Sequence, residues 1–160
     1  MLRIVQALSE ETLSQAQALF REYGRMPGVA PCVQDFEREV AALPGSYAPP
    51  GGRLLLAIPD PPGNTEGAAG CVALRPWEQD ACEMKRLYVR PAFRGQGAGR
   101  ELVKEVIDQA RSQGYRRMLL DTLPSMHEAH ALYRALGFRQ IAAYQEKPIP
   151  GALFFELLLQ

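Results

Sequence analysis

The chain has 160 residues, enough for one domain with a sizeable core and short for two. Its 18 basic and 18 acidic residues cancel, so the charge balance gives no reason to invoke DNA, RNA or an anionic membrane surface as partner. The three widely spaced cysteines, Cys32, Cys71 and Cys82, fit neither a disulfide framework nor a zinc ligand set and read as reduced thiols of a cytoplasmic protein.

Leu2 to Leu8 reads as a strand with Arg3 inside it, not as a signal peptide. Ser9 suits a helix N-cap, with Glu10 and Glu11 in the first turn. Leu13, Ala16, Phe20 and Tyr23 then fall at helical spacing, and Gly24 ends the run. A second helix is expected over Val33 to Leu43, with Val33, Phe36, Val40 and Leu43 on one face and Pro44-Gly45 as its stop. Pro44 to Gly52 reads as a loop, Arg53 to Ile58 as a strand, Pro59 to Gly67 as a turn, and Ala68 to Leu74 as the next strand. Arg75 to Asp80 is another turn and Ala81 to Val89 another strand, so the first half predicts an antiparallel meander.

The second half changes character. Gly97 to Gln113 is a helix with the apolar stripe Ala98, Leu102, Val103, Val106, Ile107 and Ala110, capped by Gly114. Tyr115 to Asp121 is a strand, Ser125 to Leu136 a helix ended by Gly137, and Phe138 to Ala143 and Ala152 to Leu159 the last strands. The apolar run from Ala152 is the longest and is broken by Glu156, so no segment reaches the length of a membrane-spanning helix. The sum is one α+β domain over residues 1–160, with about six or seven strands and about four helices.

The most informative stretch is Arg94-Gly95-Gln96-Gly97-Ala98-Gly99-Arg100, which follows a strand and opens the clearest helix. A helix N-terminus offers free N–H groups and partial positive charge. Glycines at alternate positions let the backbone approach a ligand closely. Two flanking arginines complete an anion site suited to a pyrophosphate. A dinucleotide fingerprint from Gly95 needs glycine where Arg100 stands, and no Gly-Lys-Ser/Thr is present for a P-loop.

This loop resembles the [Arg/Gln]-x-x-Gly-x-[Gly/Ala] signature of the GNAT superfamily of N-acetyltransferases, filled by Arg94, Gly97 and Gly99. The preceding Met84-Lys85-Arg86-Leu87-Tyr88-Val89 strand and the downstream Ala129-His130-Ala131-Leu132-Tyr133-Arg134-Ala135-Leu136-Gly137-Phe138 segment are similar to that family too. The resemblance runs from about Ala68 to Ile141. It implies a mixed, mostly antiparallel sheet that opens in a V between the strand at Ala81–Val89 and the strand at Tyr115–Asp121, with acetyl-CoA in the opening. The backbone of Leu87 and Val89 is then expected to hold the pantetheine as an added strand would. An N–H near Leu87 or Tyr88 would polarise the thioester carbonyl. The N–H groups of Gln96 to Gly99, with Gly95, Arg94 and Arg100 around them, would hold the pyrophosphate. From the last helix Met126, Ala129 and Tyr133 would face the cofactor. Met126 departs from the family, which often has asparagine seven residues before the tyrosine; that pantetheine contact is missing or replaced, with His127 beside it as a substitute.

By the same resemblance Tyr133 donates a proton to the departing sulfur; the alternative is a core tyrosine on the Ala129–Leu132–Leu136 face. A primary ammonium must lose a proton before it attacks. Glu83 is the candidate base, on the strand that holds the cofactor and, by alternation, on the face of Lys85 and Leu87; the alternative is an ion pair with Lys85 or Arg86. His127 and His130 lie i, i+3 with no third ligand, and read as surface histidines rather than a metal site. Lys85, Arg86, Arg90 and Arg94 form a basic cluster best matched to coenzyme A phosphates. Cys71 and Cys82 are candidates to face each other on neighbouring strands, as buried thiols.

The expected activity is direct transfer of an acetyl group, in a ternary complex, from acetyl-CoA to a primary amine of a small acceptor, without a metal. A peptide amine and a homodimer remain open, as does transfer of another acyl group. The competing reading is a non-catalytic acyl-CoA sensor on the same fold. Tyr23 to Pro27 and Leu43 to Tyr47 are expected to rim the acceptor site, and the last strand is either buried in the sheet or paired with another chain.

Overall fold

The computed structural model describes residues 1–29, 33–60 and 67–160, with side chains from 35 onward in the second segment. Seven strands form one sheet in the order β1-β2-β3-β4-β5-β7-β6. They are β1 (Leu2–Gln6), β2 (Arg53–Pro59), β3 (Gly70–Pro76), β4 (Ala81–Val89), β5 (Arg117–Thr122), β6 (Arg139–Ile141) and β7 (Leu153–Leu158). All pairings are antiparallel except β4 with β5. Among the described residues there are four α-helices: α1 (Glu10–Gly24), α2 (Val33–Ala41), α3 (Ala98–Ser112) and α4 (His127–Ala135). The mixed, mostly antiparallel α+β architecture is the one expected from the sequence.

Local chemistry explains the element ends. The Ser9 hydroxyl accepts the Thr12 N–H and the Thr12 hydroxyl accepts the Ser9 N–H, both at 3.1 Å, so two otherwise free donors open α1 already satisfied. All six residues of the apolar stripe on α3 are buried. Gly114 and Gly137, just past α3 and α4, take positive φ angles of 88° and 97°, where a side chain would be strained. The sheet divides the core. On one side Leu102, Val103 and Val106 of α3 and Tyr133 of α4 pack on Val72, Met84, Leu120 and Phe155. On the other, Ala16, Leu19 and Phe20 of α1 and Phe36 and Val40 of α2 pack on Leu54, Leu56, Ala73 and Tyr88.

Two departures from simple alternation shape the centre. β4 carries one extra residue against β3, because Cys71 faces Tyr88 while Ala73 faces Lys85. Arg86 lies inside this bulge with φ +61°. Glu83 and Lys85 therefore do not share their face with Leu87, which packs with Cys82 and Met84 on the α3 side. Cys71 and Cys82 belong to opposite core layers and do not face each other. β7 lies between β5 and β6, so it is an interior strand of this sheet and both its edges are used.

Cys32 and most of the turn between β2 and β3 lie outside the described residues. No helix among the described residues is long and apolar enough to cross a membrane.

Gly70 sits where β3 passes the end of β4, and a Cβ there would lie 2.5 Å from the Tyr88 carbonyl oxygen and 3.2 Å from Val89 Cα. Gly70→Ala is expected to push these strands apart and cost about 1–3 kcal/mol, as overpacking does, which urea denaturation measures.

Candidate active site

β4 and β5 begin side by side and then part. Their pairing runs from Ala81 with Arg117 to Glu83 with Leu119 and stops there, although β4 continues to Val89 and β5 to Thr122. The expected V-shaped opening is therefore present between these two strands. Two cavities flank it. The larger, about 760 Å³, is lined by Leu87, Tyr88 and Val89 of β4, by Phe93 to Gly95 and Gly97 to Gly99 of the following loop and helix start, and by Met126, Ala129 and Leu132 around α4. The smaller, about 170 Å³, is lined by Lys85 and Arg86 of β4, Asp121 to Leu123 at the end of β5, Tyr23, Phe36, and Gln145, Lys147 and Ile149 of the loop joining β6 to β7. Arg86 in the bulge faces one cavity while its neighbour Leu87 faces the other.

The glycine loop forms one end of the larger cavity. Gly95 and Gly97 have φ angles of +78° and +86°, and Gly97 is the N-cap of α3. A Cβ on either would meet nothing within 4 Å, so each glycine is required by its backbone conformation and the space beside it is open. Gly99 has ordinary backbone, and a Cβ there would rest 3.7 Å from Val89 and 3.8 Å from Leu132. The start of α3 thus lines a mostly apolar cavity, and the N–H groups that a helix start leaves free are a donor set that fits a phosphate joined to a less polar arm. Gln96, Arg100 and Tyr133 do not line this cavity. The Gln96 side chain donates to the Ala92 carbonyl at 3.3 Å.

The basic cluster read from the sequence is mostly spent internally. Lys85 donates to Asp121 at 3.1 Å. Arg86 makes a two-pronged pair with Glu39 at 2.8 and 3.0 Å and lies over the rings of Tyr23 and Phe36. Arg90 pairs with Glu22 at 2.8 Å. Arg94 stacks over Tyr88, donates to the Val89 carbonyl and remains on the cavity wall.

Glu83 is fully buried at the point where β4 and β5 part. Arg75 reaches one carboxylate oxygen at 2.6 Å. The Tyr144 hydroxyl and the Gln145 amide donate to the other at 2.6 and 3.1 Å. Its partners are thus Arg75, Tyr144 and Gln145, not Lys85 or Arg86. Tyr144 is itself held edge-on between Trp77 and Phe154. Tyr133 is buried against Phe138 and Phe155, and its hydroxyl has no hydrogen-bond partner among the described residues. Burial first, then the neighbouring Tyr23 and Asp121, push its phenol well above the usual value, so it stays protonated at neutral pH.

Sequence reading missed Arg75, Tyr144, Gln145 and Asp121. Tyr144 and Gln145 belong to a loop without periodicity, and only their distant partner gives them meaning. His130 is buried, not on the surface, with its Nε2 2.9 Å from the Leu123 carbonyl. Among the described residues no cluster of His, Cys, Asp and Glu is arranged to hold a metal. Of the two expected acceptor loops, the first supplies Tyr23 to the smaller cavity and Met26 and Pro27 to the larger. The second lines neither, and Tyr47 is a core residue beside Phe20.

A parted central sheet with a glycine-lined helix start at its mouth defines an acyl-CoA-type transferase fold. Residues 15–138 match the model of the acetyltransferase (GNAT) family, and the chain belongs to that family. It is 38% identical over 148 residues to an uncharacterized N-acetyltransferase of Schizosaccharomyces pombe, covering 92% of this chain and 88% of that one. It is 36% identical over 104 residues to the N-acetylaspartate synthetase of Rattus norvegicus, covering 64% of this chain and 33% of that longer one. Among solved structures, a GNAT-family acetyltransferase of Staphylococcus aureus superposes over the whole of both chains with a TM-score of 0.82 at 18% identity. The Salmonella typhimurium protein yncA, solved with its cofactor acetyl-CoA, superposes with a TM-score of 0.70 at 17% identity, covering 100% of this chain and 95% of that one. The protein is thus an N-acetyltransferase of a family that uses acetyl-CoA.

All six tyrosines, Tyr23, Tyr47, Tyr88, Tyr115, Tyr133 and Tyr144, are raised above the ordinary phenol value, burial being the largest cause each time. Above pH of about 10 the unfolded chain loses protons that the folded chain keeps, so stability falls as pH rises past that point. Absorbance at 295 nm is expected to show less tyrosinate in the folded protein at pH 10 than after unfolding in urea.

Proposed function

We propose that the protein transfers an acetyl group from acetyl-CoA to a primary amine of a small acceptor, with both substrates bound at once. The two cavities on either side of the Arg86 bulge carry this reading: one has a glycine-lined mouth and a mostly apolar wall, the other is small and sets Lys85, Asp121 and Gln145 among apolar residues. Acetyl-CoA, when bound, supplies a thioester whose carbon accepts the amine and whose sulfur leaves as a thiolate. The loop from Arg94 to Arg100 holds the pyrophosphate, and the exposed edge of β4 from Leu87 to Val89 holds the arm as an added strand. Met126 and Ala129 cover it from α4.

The chain's own residues move the protons. Glu83 takes one proton from the acceptor ammonium, passed through the Tyr144 hydroxyl that it binds. The neutral nitrogen then forms the new C–N bond as the C–S bond breaks. Tyr133, protonated at neutral pH as a phenol is, gives its proton to the sulfur and regains the second proton released by the nitrogen. The net change is one proton to solvent and one to the CoA thiol. No residue here is needed as an acyl carrier, which favours direct transfer. An N-acetylaspartate synthetase among the relatives supports a small amine acceptor.

Gly97→Glu places a bulky acid in the anion site at a backbone angle only glycine takes easily. Calorimetry is expected to show acetyl-CoA binding to the wild-type protein and none to this folded variant. Absence of binding to wild type would leave the fold without this activity. Tyr133→Phe is expected to lower kcat by about 10²-fold or more with acetyl-CoA binding unchanged. Glu83→Gln is expected to lower kcat at neutral pH while the Kd for acetyl-CoA stays the same; unchanged turnover would remove Glu83 from the reaction.

A further inference from the structure

Resting on the reading above, we propose that the smaller cavity selects a zwitterion, a free α-amino acid, by ion-pair exchange with Lys85 and Asp121. Its volume of about 170 Å³ is below the roughly 300–1,000 Å³ of pockets that enclose drug-sized ligands, so the acceptor is small. Among the described residues its charged lining is Lys85, Arg86 and Lys147 against one acid, Asp121. Arg86 is occupied by both oxygens of Glu39. Lys85 and Asp121 are different. They share one hydrogen bond at 3.1 Å, with side chains 12% and 16% exposed. Two N–H groups of Lys85 and the second oxygen of Asp121 have no other partner among the described residues.

A partly buried ion pair is costly to break one side at a time, because the remaining charge is left without a partner. A plain amine entering the cavity claims Asp121 and strands Lys85. A plain carboxylate claims Lys85 and strands Asp121. A molecule carrying an ammonium and a carboxylate on one carbon satisfies both, at the spacing of the pair it replaces. Asp121 lines the smaller cavity at the end of β5, so the ammonium end lies on the β5 wall. Lys85, one residue before the bulge, holds the carboxylate on the β4 wall. A lysine side chain of a protein or a polyamine brings an amine without that carboxylate, and a peptide N-terminus brings an amide in its place.

The test follows release of the CoA thiol by the full chain, with free amino acids, their methyl esters, ethylamine, spermidine and a lysine-containing peptide as acceptors. At least one free amino acid is expected to have a kcat/KM about 10-fold or more above its own ester. Lys85→Met is expected to abolish that preference by raising the amino-acid KM, with the KM for acetyl-CoA unmoved. Lys85→Arg is expected to restore it. Better turnover of the ester, amine, polyamine or peptide overturns the zwitterion while leaving acetyl transfer intact. So does acetyl-CoA binding with no amino acid consumed. Failure of the wild-type protein to bind acetyl-CoA overturns both.

Discussion

The parting of β4 from β5 is the constraint on which the rest depends. A sheet satisfies backbone N–H and C=O groups by pairing them, and a strand that leaves its neighbour exposes a row of them. Beyond Glu83 and Leu119 the two strands no longer pair, while β4 stays attached to β3 through Val89. One edge of β4 is therefore held rigidly and the other is free to take a ligand. The fold supports this split from both sides. α3 and α4 pack beneath the larger cavity and α1 and α2 border the smaller one, so neither arm of the V closes on the other.

Charge is arranged around the same point. Four ion pairs join elements around the gap: Glu83 with Arg75, Asp121 with Lys85, Glu39 with Arg86 and Glu22 with Arg90. These pairs link β3, β5 and α2 to β4, and α1 to Arg90 just past the end of β4. Groups this sheltered are tolerated only when paired, so the pairs tie the helices to the strand bearing the bulge. The anion site differs. As proposed, it would rely on backbone N–H groups, which need no counter-charge and leave the loop open.

Features set by neighbours in the chain were legible in the sequence. The Ser9 cap, the apolar stripe of α3, the closing glycines of α3 and α4 and the loop at Gly95 to Gly99 all depend on spacing within a few residues, and each stands where its pattern put it. Features set across the fold were not. One extra residue at Arg86 reverses the alternation that would have placed Glu83 beside Leu87, and no periodicity marks it. Tyr144 and Gln145 acquire a role only because the loop after β6 returns to Glu83. His130 reads as a surface residue because no third ligand accompanies it and His127, yet in the fold its Nε2 meets the Leu123 carbonyl and its ring lies against Phe155. Tyr47 lies in a proline- and glycine-rich segment that reads as exposed, and packing on Phe20 takes it into the core.

The two described cysteines have a consequence for an enzyme that makes a thiol at every turnover. Burial pushes both Cys71 and Cys82 up to about 12, so neither forms appreciable thiolate at neutral pH, and thiolate is the species that attacks disulfides. Cys71 lies in the sheet beside Tyr88, on the strand next to the larger cavity. Oxidised coenzyme A reaching that cavity meets no reactive sulfur from either residue. Neither position is thereby open to mixed-disulfide formation with oxidised coenzyme A.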